Sequence, residues 1–367
     1  MKRFVIVMLL GLCFVQYLIQ PHAYAAQMFS DRQTQGQADM RRTLDGESRM
    51  VLDAISDGED LTQSISRILR QTKQQQRGAI AEAVAALTGA AAVMLLCSCA
   101  EAFSKTSRIS PLILQLAGAL GMTAAVYQTL AGLTSLCRET TGQIQIFSKS
   151  MLPVMTTAIG LSGSPASAAL VYSGTMFALD LCISLITGVY IPAVSAYVAI
   201  LTVNTAIGND MLKRLAACVK WLITGSLRLL LTLFFFYITI SGSVSHGMDA
   251  GTVKAAKFAL NSSVPLVGNI LSGATDSVLA GAVVLKNSLG VFGMLCICAI
   301  CLVPFLRIGV NYLAFKIGAA VLSPICPKLL SGLADGIADS IGMIFGMLGS
   351  CSAILFFELV YSVVMVT

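Results

Sequence analysis

Residues 219–241 read VKWLITGSLRLLLTLFFFYITIS, and Lys220 and Arg228 are the only charged side chains among them. A helix needs about 20 mainly apolar residues to cross the hydrocarbon core of a bilayer, so this stretch predicts a transmembrane helix. Stretches of the same kind occur along most of the chain, at residues 79–100, 111–134, 151–208, 289–306, 308–326 and 341–365. The sequence therefore predicts an all-α, polytopic helical membrane protein.

Composition supports this fold class and excludes several others. Of the 367 residues, 56% are hydrophobic and only 11% are charged, and the mean hydropathy is +0.82. Soluble domains carry about 25% charged residues, so a soluble enzyme, a disordered chain and a coiled coil are excluded. Only 7% of the residues are aromatic, with a single Trp. This argues against an outer-membrane barrel, which has aromatic girdles at both interfaces.

The charged residues divide the chain into segments. Residues 26–78 contain eight acidic and eight basic side chains, whereas residues 79–367 contain only 24 charged side chains. We therefore predict a polar segment at 26–78 and a multi-pass membrane domain at 79–367. The formal net charge of +6 fits Lys and Arg residues that flank membrane spans. No basic stretch has interleaved aromatic residues, so we expect no nucleic-acid partner.

The N-terminus has the order of a secretory signal peptide. Lys2 and Arg3 precede an apolar run at 4–19, and the small residues Ala23 and Ala25 follow two apart. This order predicts a signal peptide at 1–25 that is cleaved before Ala26. The alternative is an uncleaved anchor helix. Both interpretations place residues 26–78 outside the cytoplasm.

The extracytoplasmic segment is itself predicted to be helical. Its apolar residues recur at steps of three and four, at Val51, Leu52, Ile55, Leu61, Ile65, Ile68 and Leu69. This narrow apolar stripe can dock on the membrane surface, on a partner protein, or on the rest of the chain, and the sequence leaves the choice open.

Loop charge predicts the number of crossings. The positive-inside tendency places Lys105 and Arg108, and also Lys213, Arg214 and Lys220, in the cytoplasm. This requires an odd number of crossings between residues 135 and 212. We predict three, with the segment around Pro153 weak or partly re-entrant. The final spans then leave the C-terminus in the cytoplasm, and the whole domain has seven to nine transmembrane helices. Whether residues 252–288 cross the bilayer, re-enter it or lie on it stays open.

Two stripes of small residues predict close helix packing. In each stripe the residues are four apart, so they share one helix face where another backbone can approach. The two sets are Gly273, Ser277 and Gly281, and Gly342, Gly346 and Ser350. Packing within one chain and packing between copies in a homo-oligomer are both consistent with the stripes.

Charged residues inside apolar spans are candidate functional groups, because ionisable side chains in lipid usually face protein or water. These candidates are Asp180, Arg228, Arg307, Lys316 and Glu358. One interpretation is a polar lining for a conduit or a proton path. The other is structural ion pairing, or basic side chains that extend to the interface.

The sequence offers little for catalysis or metal binding. His22 and His246 are the only histidines, and the first lies in the predicted signal peptide, which makes a Ser-His-Asp triad improbable. The chain has no GxxxxGK[ST] phosphate-binding motif. Its paired cysteines, Cys97 with Cys99 and Cys296 with Cys298, sit in apolar runs, where Cys behaves as a small apolar residue. We expect no catalytic residue, no metal site and no cofactor.

One long stretch resembles a known family. Residues 257–276 read KFALNSSVPLVGNILSGATD, followed by VLKN at 284–287. In length and order this stretch resembles stage III sporulation protein AE, and the layout of residues 80–367 agrees. The residues that carry the resemblance are Pro265, Gly268, Asp276, Lys286, Asn287 and Pro304, with Lys316 beyond them.

The resemblance implies a biological setting. Members of that family are multi-pass proteins of the mother-cell membrane that surrounds the engulfed forespore. They belong to a transenvelope, secretion-like channel complex with other stage III sporulation membrane proteins and a forespore membrane partner. That complex maintains forespore development and late forespore transcription. The family supplies no catalytic residues.

Three function classes remain in view. The first is a non-enzymatic membrane subunit of such a complex. The second is a stand-alone secondary transporter or permease, which interrupted helices and charges within spans would suit. The third is an intramembrane enzyme, for which Asp180 and Glu358 are the available carboxylates. The first agrees best with the resemblance and with the missing catalytic residues.

Overall fold

The computed structural model describes residues 81, 83–101, 111–161, 165–263 and 268–364, with backbone alone for 242–288 and a few other positions. Every described residue is helical except 208–209 and 323–327, which confirms the predicted all-α fold class. The predicted signal peptide and the polar segment at 26–78 lie outside the described residues. The described residues belong to one compact unit.

The described ranges contain seven α-helices. We number them α1 Ala83–Glu101, α2 Pro111–Leu161, α3 Pro165–Leu185, α4 Ile191–Ile207, α5 Asp210–Ser263, α6 Gly268–Leu322 and α7 Lys328–Val364. A π-helical turn, Ile186–Tyr190, joins α3 to α4 without a loop, so that residues 165–207 form one continuous rod. Helix α2 has 51 residues, α5 has 54 residues and α6 has 55 residues. Each of these three helices is therefore about 80 Å long.

Local sequence explains where the helices begin and end. Pro111 and Pro165 are the first residues of α2 and α3, a position where the missing N–H is no loss. Gly208 ends α4 with φ of 70 degrees, a left-handed conformation that glycine adopts without steric strain. The next residue, Asn209, caps α5, because its Oδ1 accepts a hydrogen bond of 2.9 Å from the Met211 N–H.

Prolines inside the helices do not end them. Pro153 is within α2 and Pro304 within α6. Helix α2 continues through the segment around Pro153, which was predicted to be weak or partly re-entrant. Prolines are tolerated in the helices of membrane proteins, because neighbouring groups satisfy the freed backbone carbonyls.

Six helices in the described ranges are long and apolar enough to cross a membrane, judged by length and composition. They are Ala83–Glu101, Ile113–Thr157, Ala168–Ile207, Asp210–Ser241, Leu289–Leu322 and Lys328–Ser362. The chain is thus a multi-pass membrane protein, but the predicted count of seven to nine spans is not confirmed.

The difference in count comes from helices that are longer than one bilayer. Residues 289–306 and 308–326 were predicted as two spans, whereas residues up to Leu322 form the single helix α6. Similarly, residues 135–212 were predicted to cross three times, but they contain the end of α2 and one returning rod. A long apolar run has the same composition whether or not it turns in the middle.

Helix α7 lies at the centre of the bundle. It contacts α2, α3, α4, α5 and α6, which follow one another around it. Its inward side chains are fully buried, among them Ile337, Ile341, Ile344, Met347 and Leu355. Helices α1 and α5 have the smallest buried share of the six candidate spans, and they lie at the periphery.

Cross-helix contacts show that the long helices alternate in direction. Helix α6 is antiparallel to α7, since Lys316 bonds Asp335 near one end and Gly293 lies beside Leu359 near the other. Thr205 on α4 reaches the Leu329 carbonyl at the start of α7. Residues 208–209 and 323–327 therefore lie at the same end of the bundle, which we call the loop end.

Candidate functional site

The described residues contain one cluster of ion pairs that joins three helices. Lys220 Nζ on α5 lies 2.6 Å from Asp339 Oδ2 on α7. Lys316 Nζ on α6 lies 3.0 Å from Asp335 Oδ1 and 3.4 Å from Asp339 Oδ1. We call these four residues the ionic cluster. Asp339 is its central member, because it bonds a lysine from each of two helices.

Helix geometry positions the two acids. Asp335 and Asp339 are four residues apart on α7 and therefore point from the same face. Between them, Gly336 allows α4 to approach closely, because a Cβ there would overlap the side chain of Leu201. The hydroxyl of Tyr197 lies beside the same glycine. The contact between α4 and α7 thus fixes the rotation of α7 about its own axis. As a result, Asp335 and Asp339 face the line along which α5 and α6 meet.

The ionic cluster is electrically neutral and only partly buried. The side chains of Lys220, Lys316, Asp335 and Asp339 keep 42%, 41%, 49% and 25% of their surface exposed. Because charged groups are costly in hydrocarbon, these surfaces need water or polar partner groups. Within the chain, the arrangement neutralises the charges and ties α5 and α6 to the central helix.

Sequence reasoning identified only part of this cluster. Lys316 was predicted as an intramembrane charge, but Lys220 was interpreted as a cytoplasmic flank. Asp335 and Asp339 were missed, because residues 327–340 fell between two predicted spans. The sequence did contain a signal for a helix here, because the apolar residues around the two acids recur at steps of three and four. These residues are Leu330, Leu333, Ala334, Ile337, Ala338 and Ile341.

Three other predicted charges lie apart from the ionic cluster. Asp180 is exposed on α3, and its Oδ1 accepts a hydrogen bond of 2.9 Å from Gln145 Nε2 on α2. Arg228 is exposed on α5, and its guanidinium makes no hydrogen bond or ion pair with any described residue. Arg307 is half-buried on α6, and its backbone carbonyl accepts a hydrogen bond from Asn311.

Glu358 lies inside the bundle near the end of α7. It is fully buried, and its Oε1 accepts a hydrogen bond of 3.2 Å from the Ser362 hydroxyl. Its other oxygen, Oε2, has no hydrogen-bond partner among the described residues. The structure therefore places Glu358 with a neighbouring serine on its own helix and apart from Asp180.

The two small-residue stripes have different surroundings. A Cβ at Gly342 would lie 2.9 Å from Tyr312 Cε2 on α6, so this glycine permits a close approach. A Cβ at Gly346 would meet open space, and Ser350 is buried with its hydroxyl bonded to the Gly346 carbonyl. The other stripe lies in α6, where the structure describes backbone alone; its members are Gly273, Ser277 and Gly281.

The residues that carried the family resemblance are concentrated at one helix. Pro265 lies outside the described residues, and Gly268 begins α6. Pro304 is buried inside the same helix. The remaining members lie in the part of α6 with backbone alone, at Asp276, Lys286 and Asn287.

The cysteines of the described ranges are free thiols. Cys182 Sγ and Cys351 Sγ lie 3.4 Å apart in the core, and Cys301 Sγ lies 3.1 Å from the Ser352 hydroxyl. Cys326, in the loop between α6 and α7, is buried, and this burial raises the pKa of its thiol because the charged thiolate is poorly solvated there. In these ranges no group of three or more His, Cys, Asp or Glu side chains could hold a metal ion.

Residues 48–367 match the family model described as stage III sporulation protein AE. A curated relative from Bacillus subtilis (strain 168), named stage III sporulation protein AE, is 28% identical over 215 residues. The match covers 58% of this chain and 53% of the relative, so it spans about half of that relative's length. No solved structure matches the chain.

The family match covers the described helices and the ionic cluster in full, and it begins within the polar segment. It also includes the stretch at 257–276 on which the sequence resemblance rested. This chain belongs to the stage III sporulation protein AE family.

Proposed function

We propose that this chain is a non-enzymatic integral membrane subunit of a transenvelope complex in sporulation. The observation that carries the proposal is the family match over residues 48–367. In its support, the described part of the chain contains six helices long and apolar enough to cross a membrane. In this proposal the complex is a secretion-like channel that links the mother cell to the forespore. Its partners are other stage III sporulation membrane proteins and a forespore membrane protein.

The ionic cluster supports a structural role. Its four charged side chains form ion pairs with one another, and these pairs join α5, α6 and α7. A helical bundle held in this way is a rigid body on which other membrane subunits can assemble. The large exposed apolar side chains of α5, such as Trp221 and Phe236, supply contact surface for lipid or for other helices.

A deletion tests the proposed role in sporulation. In a spore-forming host that lacks the gene, we expect development to stop after engulfment, with loss of late forespore transcription and of heat-resistant spores. The wild-type gene should restore spore yield. Normal spore formation without the gene would contradict the proposal.

Point variants test whether the ionic cluster matters for that role. Lys316→Met removes a bond to each of two acids, and we expect it to lower spore yield at least tenfold. Lys213→Met also removes one positive charge near the loop end but leaves the cluster intact, so it should sporulate normally. Equal spore yields from the two variants would show that sporulation does not depend on the ionic cluster.

Purification and imaging test the proposed complex and its location. A tagged chain isolated after engulfment should carry other stage III sporulation membrane proteins, and a fluorescent fusion should mark the mother-cell membrane around the forespore. A chain that purifies alone, and that accumulates a solute in vesicles without other proteins, would instead be a transporter.

A further inference from the structure

Arg228 is a charged side chain on the outer surface of the bundle. It is exposed on α5, and its guanidinium has no ionic or hydrogen-bonding partner among the described residues. Within the apolar run at 219–241 it lies about 14 Å from the first residue and about 20 Å from the last, at about 1.5 Å per residue. An Arg surrounded by lipid at such a depth is unfavourable, so Arg228 needs a partner from outside the described bundle.

Asp180 is an acidic counterpart on another side of the bundle. It is exposed on α3, within the candidate span Ala168–Ile207. The amide of Gln145 donates a hydrogen bond to it, but an amide does not neutralise a carboxylate. Asp180 forms no ion pair with any described residue.

Contacts between α3 and α5 show that the two charges lie at the same height. The Tyr237 hydroxyl on α5 donates to the Leu170 carbonyl on α3, and its ring lies against Gly174. The two helices are antiparallel. Toward the loop end, Arg228 lies about 14 Å from Tyr237 along α5, and Asp180 lies about 15 Å from Leu170 and about 9 Å from Gly174 along α3. Their heights along the bundle, taken from the helical rise, therefore agree within about 5 Å.

Although they are level, the two side chains face different directions. Arg228 precedes Tyr237 by nine positions, which at about 100° per residue places it on the opposite face of α5 from α3. Asp180 faces α2, where Gln145 bonds it. Around the central helix the order is α2, α3, α5, α6, so Asp180 and Arg228 belong to opposite sides of one molecule.

We propose that copies of this chain associate side by side in the membrane, with Arg228 of one copy paired to Asp180 of the next. Copies inserted with the same topology are related by rotation about the membrane normal, which leaves heights unchanged, so only level residues can meet. The contact joins two different surfaces, and such a heterologous interface generates a ring when the rotation closes.

The surroundings of both charges suit this pairing. Leu229 is exposed beside Arg228, and Phe177 and Leu181 are exposed near Asp180. These apolar side chains can exclude water around the ion pair. The neighbouring positions 138 and 139 on α2 are also exposed, but they carry an Arg and a Glu whose opposite charges offset one another. The exposed Lys149 lies four residues from Gln145 on α2, and it forms no ion pair with Asp180.

Disulfide crosslinking between differently tagged chains tests the contact. One chain carries Arg228→Cys and the other Asp180→Cys, both with the exposed Cys99 and Cys218 changed to Ser, in membranes of a host that does not sporulate. Under copper-phenanthroline oxidation we expect a mixed-tag dimer that a reducing agent dissolves. The matched control replaces Trp221 instead of Arg228; it shares that face of α5 but lies about 10 Å away in height, too far for a disulfide.

The expected result is at least fivefold more mixed-tag dimer from the Arg228 pair than from the Trp221 pair. Equal yields, or a crosslink to a different protein and never to a second copy, would overturn the proposal. The assay contains this chain alone, so its outcome is independent of the proposed role in sporulation.

Charge reversal provides a second readout that does not depend on crosslinking. Arg228→Asp alone and Asp180→Arg alone place like charges at every contact, and we expect each to reduce the oligomer measured by native mass spectrometry. The double variant restores opposite charges and should restore the oligomer. If the double variant is as monomeric as the singles while its thermal unfolding is unchanged, the pairing is wrong.

Discussion

Asp339 is the acid of the ionic cluster that pairs with two helices. Its two carboxylate oxygens bond different lysines, Lys220 from α5 and Lys316 from α6. Asp335 bonds Lys316 alone and is more exposed than Asp339. Because less exposed ion pairs are screened less, the two acids should differ in their contribution to stability.

We predict that Asp339→Asn destabilises the protein more than Asp335→Asn. Asp339→Asn removes bonds to two helices from a partly buried site. It should lower the free energy of unfolding by about 1–2 kcal/mol, between the values for exposed and buried ion pairs. Asp335→Asn removes only the more exposed ion pair with Lys316, and it should lower the free energy of unfolding by less than about 1 kcal/mol. Thermal unfolding in lipid nanodiscs, followed by circular dichroism, measures both. Equal losses would show that Asp339 is not the central member.

Glu358 gives a different prediction. Its hydrogen-bond partner is Ser362, and Gln has nearly the same size and can accept the same hydrogen bond. We therefore expect Glu358→Gln to retain spore yield within about twofold, whereas Glu358→Ala leaves a cavity in the core and lowers the free energy of unfolding by about 2 kcal/mol or more. A sporulation defect in a stably folded Glu358→Gln variant would instead indicate that the ionisable carboxyl group is required.

At the scale of the helices, the extent to which the sequence predicts the structure depends on the length of the apolar run. The apolar run at 219–241 lies within α5, and Pro111 and Pro165 mark helix starts, so these features could be predicted. The run at 289–326 could not be divided correctly, because the rule of about 20 residues per span assumes that helices end at the membrane surface. Helix α6 continues through Arg307, although Pro304, Gly309 and Asn311 lie close to it.

The ionic cluster shows a second limit. Lys316 was predictable, because a charge within an apolar run is conspicuous in sequence. Its partners were not, since they depend on which helices become neighbours. Lys220 and Asp339 are 119 residues apart in the chain. Periodicity places a residue on a helix face, but tertiary packing decides what that face meets.

Close packing between α3 and α5 leads to a prediction at this scale. A Cβ at Gly174 would overlap the Tyr237 ring, which is held by its hydrogen bond to Leu170. We expect Gly174→Ala to lower the free energy of unfolding by about 1–3 kcal/mol, as overpacking does. The matched control is Gly132→Ala on α2, where a Cβ meets open space, and a gain of about 0.5–1 kcal/mol is expected from helix propensity. Thermal unfolding measures both, and a neutral Gly174→Ala would contradict this packing.

At the scale of the whole molecule, the alternating helices set which loops share a side of the membrane. Residues 208–209 and 323–327 both lie at the loop end. The side chains Lys213 and Arg214 lie near that end, so the positive-inside tendency favours it as the cytoplasmic side. The predicted nine-span arrangement placed residue 210 in the cytoplasm and residue 325 outside. The single helix α6 removes one crossing and moves residue 325 to the other side.

Accessibility of single cysteines decides between the two arrangements. Asp210→Cys, Ile325→Cys and Ser162→Cys would be made in a chain whose exposed Cys99 and Cys218 are changed to Ser. Labelling of intact cells with a membrane-impermeant maleimide would be compared with labelling after permeabilisation. Cys326 beside the second site is buried with a raised thiol pKa, so it should react slowly with the reagent.

We predict that the cysteines at positions 210 and 325 are protected in intact cells and become labelled together after permeabilisation. The cysteine at 162, between α2 and α3, should be labelled in intact cells. Labelling of position 325 in intact cells while position 210 stays protected would contradict the single helix α6 and the alternating bundle.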